Sequence, residues 1–216
     1  MNIVTNINTC IDEILEHMQK GNPIIIPTDT NYNLACLANS AEAIDKIFKY
    51  KKRPKNKALS LFFLDPSDWN KYGICDNERI IERLAETFWP GPLNIIINKR
   101  NSDYDYMLNN KSTIALGSVS NPTWREFMSH LNGEPIAITS ANISGTVDNT
   151  LVTKEIAISQ MKNCVDFFIE SSNAISTSKS STIVSVIDNT VKLIREGDID
   201  KKALDNALHV EEITVE

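Results

Sequence analysis

The sequence predicts an α/β protein, a twisted mixed sheet flanked by helices, and three observations carry that expectation. Short β-branched runs such as Ile24-Ile25-Ile26 alternate with stretches whose apolar residues recur at i, i+3 and i+4, along the whole chain. Turn residues (Pro, Gly, Asn, Asp, Ser) punctuate them at close intervals. The chain has 216 residues, of which 42% are hydrophobic and 23% charged, enough to bury a core as one domain with at most a short appendage. The expected division is a domain over 1–208 and an acidic tail over 209–216.

The elements follow in order. Ile11, Ile14, Leu15 and Met18 mark a first amphipathic helix closed by Gly21. Ile24–Ile26 is a strand that Pro27 ends, since proline cannot donate to a ladder; Thr28-Asp29-Thr30 follows as a polar strand end. Asn39 or Ser40 caps a helix bearing Ala43, Ile44, Ile47, Phe48 and Lys51 on one face, stopped before Pro54. Leu59–Phe63 is a strand and Asp65–Asp68 a turn. Ile80, Ile81, Leu84, Ala85 and Phe88 form a helix ended by Pro90-Gly91-Pro92. Leu93–Ile97 is a strand, Lys99 to Ser112 a polar loop, Thr113–Leu116 a strand, and Pro122 opens a helix. Ile136–Thr139 is a strand running into Ser140-Ala141-Asn142-Ile143-Ser144-Gly145. A helix over Thr153–Met161, a strand over Val165–Ile169, a serine-rich loop over Ser172–Ser180, a hairpin over Thr182–Ile194 turning at Asp188-Asn189, and a helix over Asp200–Leu208 complete the chain.

Composition narrows the function. No apolar run nears the roughly 20 residues that span a bilayer, and no basic-then-apolar amino terminus suggests secretion. Four scattered cysteines without a C-x-x-C pair, Cys10, Cys36, Cys75 and Cys164, fit reduced thiols in a cytoplasm. The three histidines lie far from them, so no metal site is expected. The formal charge is −6, which disfavours broad non-specific binding to nucleic acid. Against that balance stands a basic cluster: Lys46, Lys49, Lys51, Lys52, Arg53, Lys55 and Lys57. Such a cluster is either a solvated helix end complementing its dipole or a cradle for a polyanion such as a nucleoside triphosphate. Thr28–Thr30, Ser140–Asn142 and Ser180–Thr182 each end or begin an apolar strand. Singly these are ordinary turn residues; together with the cations they suggest donors converging on a ligand. Trp89 and His130 are expected to pack or to face solvent, and Tyr104, Tyr106 and Trp69 are candidates for the mouth of a site.

The motifs P-T-D-T-x-Y-x-L, K-x-R-P, F-W-P-G-P-L, T-S-A-N-x-S-G, S-T-I-V and I-R-x-G occur in that order over about residues 10 to 200. They resemble the YrdC-like family, whose best-known members are L-threonylcarbamoyladenylate synthases. The resemblance implies a YrdC-like domain with a deep basic cavity. It also implies a reaction of ATP, with Mg2+ on its phosphates, bicarbonate and L-threonine that releases pyrophosphate and feeds tRNA threonylcarbamoyladenosine formation. By the same resemblance Lys51, Arg53, Ser140 and Asn142 are the catalytic set. Arg53, Lys57, Thr113, Ser140, Asn142 and Arg195 would bind ATP, and Thr30, Tyr32, Lys51 and Ser181 the amino substrate. The chain departs from the family pattern at Asn33 (usually glycine), Phe62 (often histidine) and Gly117 (usually an arginine that holds the substrate carboxylate). These departures leave two alternatives open: a synthase whose lost contacts are replaced, with Arg125 or Lys111 as candidates, or a diverged relative that uses another amine or only binds nucleotide. A non-catalytic RNA-binding module is a third, with RNA or tRNA-modification proteins as partners.

Overall fold

The computed structural model describes all residues except 148–150, 174–176 and 212, together with the side chain of Val210. Its strands are β1 (Asn2–Val4), β2 (Ile24–Pro27), β3 (Tyr32–Leu37), β4 (Ser60–Phe62), β5 (Gly73–Ile74), β6 (Leu93–Lys99), β7 (Thr113–Gly117), β8 (Ile136–Ser140), β9 (Phe167–Ile169), β10 (Thr182–Ile187) and β11 (Thr190–Arg195). Its helices are α1 (Ile11–Gln19), α2 (Ala41–Lys51), α3 (Trp69–Tyr72), α4 (Glu78–Phe88), α5 (Asp105–Leu108), α6 (Pro122–Ser129), α7 (Lys154–Met161) and α8 (Lys201–Leu208). The strands form one mixed sheet in the order β1-β9-β2-β3-β8-β4-β7-β6-β10-β11, with β5 beside β6.

Helices cover both faces, so strands near the middle are buried on both sides. Ile14 and Met18 of α1 pack with Trp124, Phe127 and Met128 of α6 on one face. Ile44 and Ile47 of α2, Ile80, Ile81 and Leu84 of α4 and Leu204 of α8 belong to the larger core on the other. Ser40 caps α2, its hydroxyl accepting from the Ala43 N–H. Asp188 and Asn189 both adopt left-handed backbone, φ 50° and 59°, the pattern of a tight β10–β11 hairpin whose twist matches its strands.

Several expectations are corrected. Tyr32–Leu37, for which the sequence predicted no strand, is β3, paired on both sides by β2 and β8. The Lys99–Ser112 loop contains α5, which buries Met107 and Leu108. The chain end is docked: Val215 is 1% exposed and bridges Val191 alongside β11. Residues 174–176 of the serine-rich loop lie outside the described residues. Among the described residues, no helix is long and apolar enough to cross a membrane.

Candidate functional site

The sheet order brings strand ends that are distant in sequence to one cavity of about 300 Å3. α2 delivers the first cation. Its last residue, Lys51, sits on the apolar side of the helix and is 1% exposed. Lys52 then turns left-handed, φ 49°, and swings Arg53 out toward the same space. The Lys51 Nζ donates to the Ser140 and Asn142 carbonyl oxygens, the second at 2.7 Å. The Ser144 N–H returns to the Lys51 carbonyl at 2.8 Å, so the helix end and the S-A-N loop are stitched together. Burial, with a smaller contribution from the Arg53 charge, pulls the Lys51 pKa down to about 7. Lys51 forms no ion pair with any described carboxylate.

Arg53 and Arg195 are also fixed by main-chain oxygens. Arg53 donates from Nε to the Lys57 carbonyl (3.0 Å) and from Nη2 to that of Ala58 (2.6 Å). Arg195 donates twice to the Ser181 carbonyl, 2.9 Å and 2.7 Å. Burial lowers both guanidinium pKa values. The approach of Arg195 needs Gly197: a Cβ there would lie 2.4 Å from the Ser180 carbonyl oxygen and 2.7 Å from the Thr182 nitrogen. Lys51, Arg53, Lys57 and Arg195 line the cavity, and no Asp or Glu among the described residues does. In a chain of charge −6 this is a local excess of positive charge among the described residues.

Hydroxyls and amides fill in between. Ser140 Oγ donates to Asn142 Oδ1 at 2.6 Å. Thr30 Oγ1 is 3.1 Å from Ser181 Oγ, and Asn31 Nδ2 ties Thr30 to Ser180. Asn33 braces this turn, Nδ2 donating to Thr28 Oγ1 and the Asn31 carbonyl, each at 3.0 Å. The Ser144 hydroxyl is buried in the cavity wall with no partner among the described residues, and sequence reasoning did not single it out.

The floor differs. Phe62 and Gly117 are register partners on β4 and β7, and a Cβ on Gly117 would lie 2.7 Å from the Phe62 ring and 3.1 Å from Asn94 Oδ1. The ring, edge-on to Trp124 at 6.4 Å, fills the space a side chain at 117 would need. The two departures from the family pattern are therefore sterically linked. Ile138 and Ile183 extend this apolar surface.

Arg53, Lys57, Ser140, Asn142, Arg195, Thr30, Lys51 and Ser181 therefore share one cavity. Two expected residues do not join them. Thr113 pairs with Asn98 at the opposite end of β7, because the strand runs away from the cavity toward its first residue. Tyr32 stacks on Phe168 at 4.7 Å and faces a neighbouring hollow, because alternation along β3 sends it to the other side from Asn33. Arg125 donates to the Leu64 and Val119 carbonyls and Lys111 is exposed; neither lines the cavity. Asp29 binds the Ser120 amide and hydroxyl outside it. Trp69 is buried, Tyr104 packs on Tyr72, and Tyr106 donates to Asp45, so none forms the mouth. Trp89 is buried and its Nε1 donates to the Leu93 carbonyl.

Comparisons with known proteins agree with this architecture. The Sua5/yciO/yrdC family model, described as "Telomere recombination", matches residues 16–197. A putative threonylcarbamoyl-AMP synthase of Methanocaldococcus jannaschii is 33% identical over 189 residues, 86% of each chain. The uncharacterized protein YciO of Escherichia coli K12 is 28% identical over 87% of this chain and 88% of its own. The structure of E. coli YciO superimposes with a TM-score of 0.77 at 23% identity, covering 94% of this chain and 96% of that one. P. abyssi Sua5 complexed with L-threonine superimposes at 0.86 and 21% identity over the whole of this chain, which spans 63% of the Sua5 chain. The chain belongs to the Sua5/YciO/YrdC family.

Proposed function

We propose that the protein is a threonylcarbamoyl-AMP synthase: it converts ATP, bicarbonate and L-threonine into threonylcarbamoyl-adenylate and pyrophosphate, for threonylcarbamoyladenosine formation in tRNA. The observation that carries this reading is the cavity in which four cations, three of them held by main-chain carbonyl oxygens, meet no carboxylate among the described residues. It is matched to a triphosphate and to the charge that builds on it in the transition state. In the reaction the threonine amine takes up carbon dioxide from bicarbonate as a carbamate. A carbamate oxygen then attacks the α-phosphorus, the bond to the bridging oxygen breaks, and pyrophosphate leaves. Lys51, Arg53 and Arg195 neutralise the phosphoryl oxygens, Lys57 reaches the outer phosphates, and Ser140 and Asn142 orient the reacting groups. Lys51, poised near neutrality, takes up a proton as the polyanion arrives.

The described residues of the cavity do not fit a resident magnesium ion, since none of them is a carboxylate. Magnesium belongs to the substrate, as MgATP. The names of relatives as threonylcarbamoyl-AMP synthases support the reaction, and a cytoplasmic setting beside other tRNA-modification proteins goes with it. A concave hollow of about 300 Å3 suits a nucleotide better than an RNA surface. A second reading, in which another amine replaces threonine, is favoured by one observation: the apolar Phe62–Gly117 floor offers no cation to a carboxylate.

Pyrophosphate release is measured with ATP, bicarbonate and single amines. The expected result is release that needs L-threonine and bicarbonate together. Release only with amines other than threonine gives the second reading its place, and ATP that neither reacts nor raises the melting temperature overturns both.

A further inference from the structure

Arg195 is anchored to the Ser181 carbonyl, so it is only as well placed as the loop that carries Ser181. That loop, residues 177–182, is tied to two other parts of the chain. Thr177 Oγ1 donates to the Asp29 carbonyl at 2.8 Å. The remaining ties run to residues 195–199, the turn that follows β11. The Gly197 N–H donates to Thr182 Oγ1 at 2.9 Å, and the same hydroxyl donates to the Ile199 carbonyl at 2.7 Å. The Asp198 carboxylate accepts from the Ser178 N–H at 2.7 Å and from the Ser178 hydroxyl at 2.5 Å, with the Lys179 N–H at 3.5 Å. These charge-assisted bonds join residues 20 apart in sequence. Thr182 is buried at the centre of this junction, whereas Asp198 is exposed at its edge. Ser181 and Arg195 line the cavity and Asp198 does not.

We propose that Asp198 is a positioning residue, a pin that clasps residues 177–182 to the turn after β11 and holds Arg195 and Ser181 where a nucleotide's phosphates bind. The inference rests on the nucleotide site proposed above. Asp198 touches no ligand; it acts through the loop. With the pin closed, the Arg195 guanidinium and the Ser181 hydroxyl are in place before ATP arrives, and binding has no loop to order. With the pin removed, the loop samples open arrangements, and apparent affinity falls by the fraction of molecules in which the site is assembled. A carboxylate does this from outside the cavity without setting a negative charge against the phosphates.

The test is calorimetric titration of ATP into the full chain. Asp198→Ala is expected to weaken ATP binding roughly fivefold and to leave the melting temperature of the nucleotide-free protein nearly unchanged, since the residue is exposed. Asp198→Asn keeps one acceptor oxygen and should recover part of the loss. In an Arg195→Ala background, removing Asp198 should change affinity by less than about twofold, because the pin acts through Arg195. In pyrophosphate release, Asp198→Ala should raise the ATP KM and leave kcat within about twofold. Wild-type affinity in Asp198→Ala, full additivity with Arg195→Ala, or a fall in kcat alone overturns the proposal. Amide hydrogen exchange separates this failure from failure of the nucleotide site. The Gly197 N–H is bonded to Thr182, not to Asp198, so its faster exchange in Asp198→Ala reports the clasp opening as a unit. That response in a protein that binds no ATP keeps the clasp and removes the nucleotide site. ATP binding with Gly197 exchange indifferent to Asp198 removes the clasp and keeps the nucleotide site.

Discussion

Along the rim of the cavity, Lys51, Arg53 and Arg195 are each held by main-chain carbonyl oxygens. On its floor, Phe62 and Gly117 are held by each other's shape. A carbonyl positions a cation without cancelling its charge, whereas a carboxylate partner would do both. The rim therefore keeps its full attraction for a polyanion, at the cost of holding Lys51 partly neutral. The floor has no charge to lose, and its two residues are free to change only as a pair. One half of a site can thus stay electrostatic while the other is rebuilt by packing.

The largest expected effect breaks the rim. Lys51→Ala or Arg53→Ala should lower pyrophosphate release roughly 100-fold or more and remove the thermal shift produced by ATP; unchanged values in both variants defeat the rim assignment. The floor comes next. Gly117→Ala should destabilise the fold by about 1–3 kcal/mol, because the new methyl meets the Phe62 ring. Phe62→Leu in the same chain should recover much of it, and a double-mutant cycle in urea without coupling breaks the claim that the two positions are sterically linked.

Acidity sharpens the same contrast. The cationic form of Lys51 binds phosphate, so ATP affinity should fall roughly tenfold as pH rises well past 7, and Lys51→Met should flatten that profile. Without nucleotide the sign reverses. The Lys51 pKa is about 7 in the fold against an ordinary 10.5, so the unfolded chain binds the extra proton between those values. The destabilisation from Lys51 is then complete below about pH 7 and relieved as pH rises toward 10.5. Urea midpoints of the wild type relative to Lys51→Met should rise over that window. The smallest effect is a control far from both regions: Tyr106→Phe, losing an exposed hydrogen bond to Asp45, should change stability by no more than about 0.5 kcal/mol.

Local signals made much of this legible. Ser40, the apolar stripe of α2 and Pro54 fixed a helix that ends in cations, and hydroxyl clusters beside apolar runs marked strand ends that do converge. β3 was missed because Tyr32-Asn33-Leu34 mixes polar and apolar residues at its start, and its central position depends on partners over 100 residues away in β8. Thr113 and Tyr32 were misplaced because a motif match says which strand a residue occupies but not which end or face reaches the ligand. Lys154 and Glu170 carry no local signal: sixteen residues apart, they meet only in the folded chain.

Alternation of apolar periods and turn residues determined the α/β class, and the ordered motifs determined the family, since both are properties of short stretches of chain. The sheet order decided the rest: that four cations share a hollow with no acid among its described residues, that Phe62 occupies the space of a side chain at 117, and that a second hollow opens beside Thr30. The physical reason is that electrostatic and steric complementarity depend on distances between strand ends, and those distances exist only once the crossovers have been made.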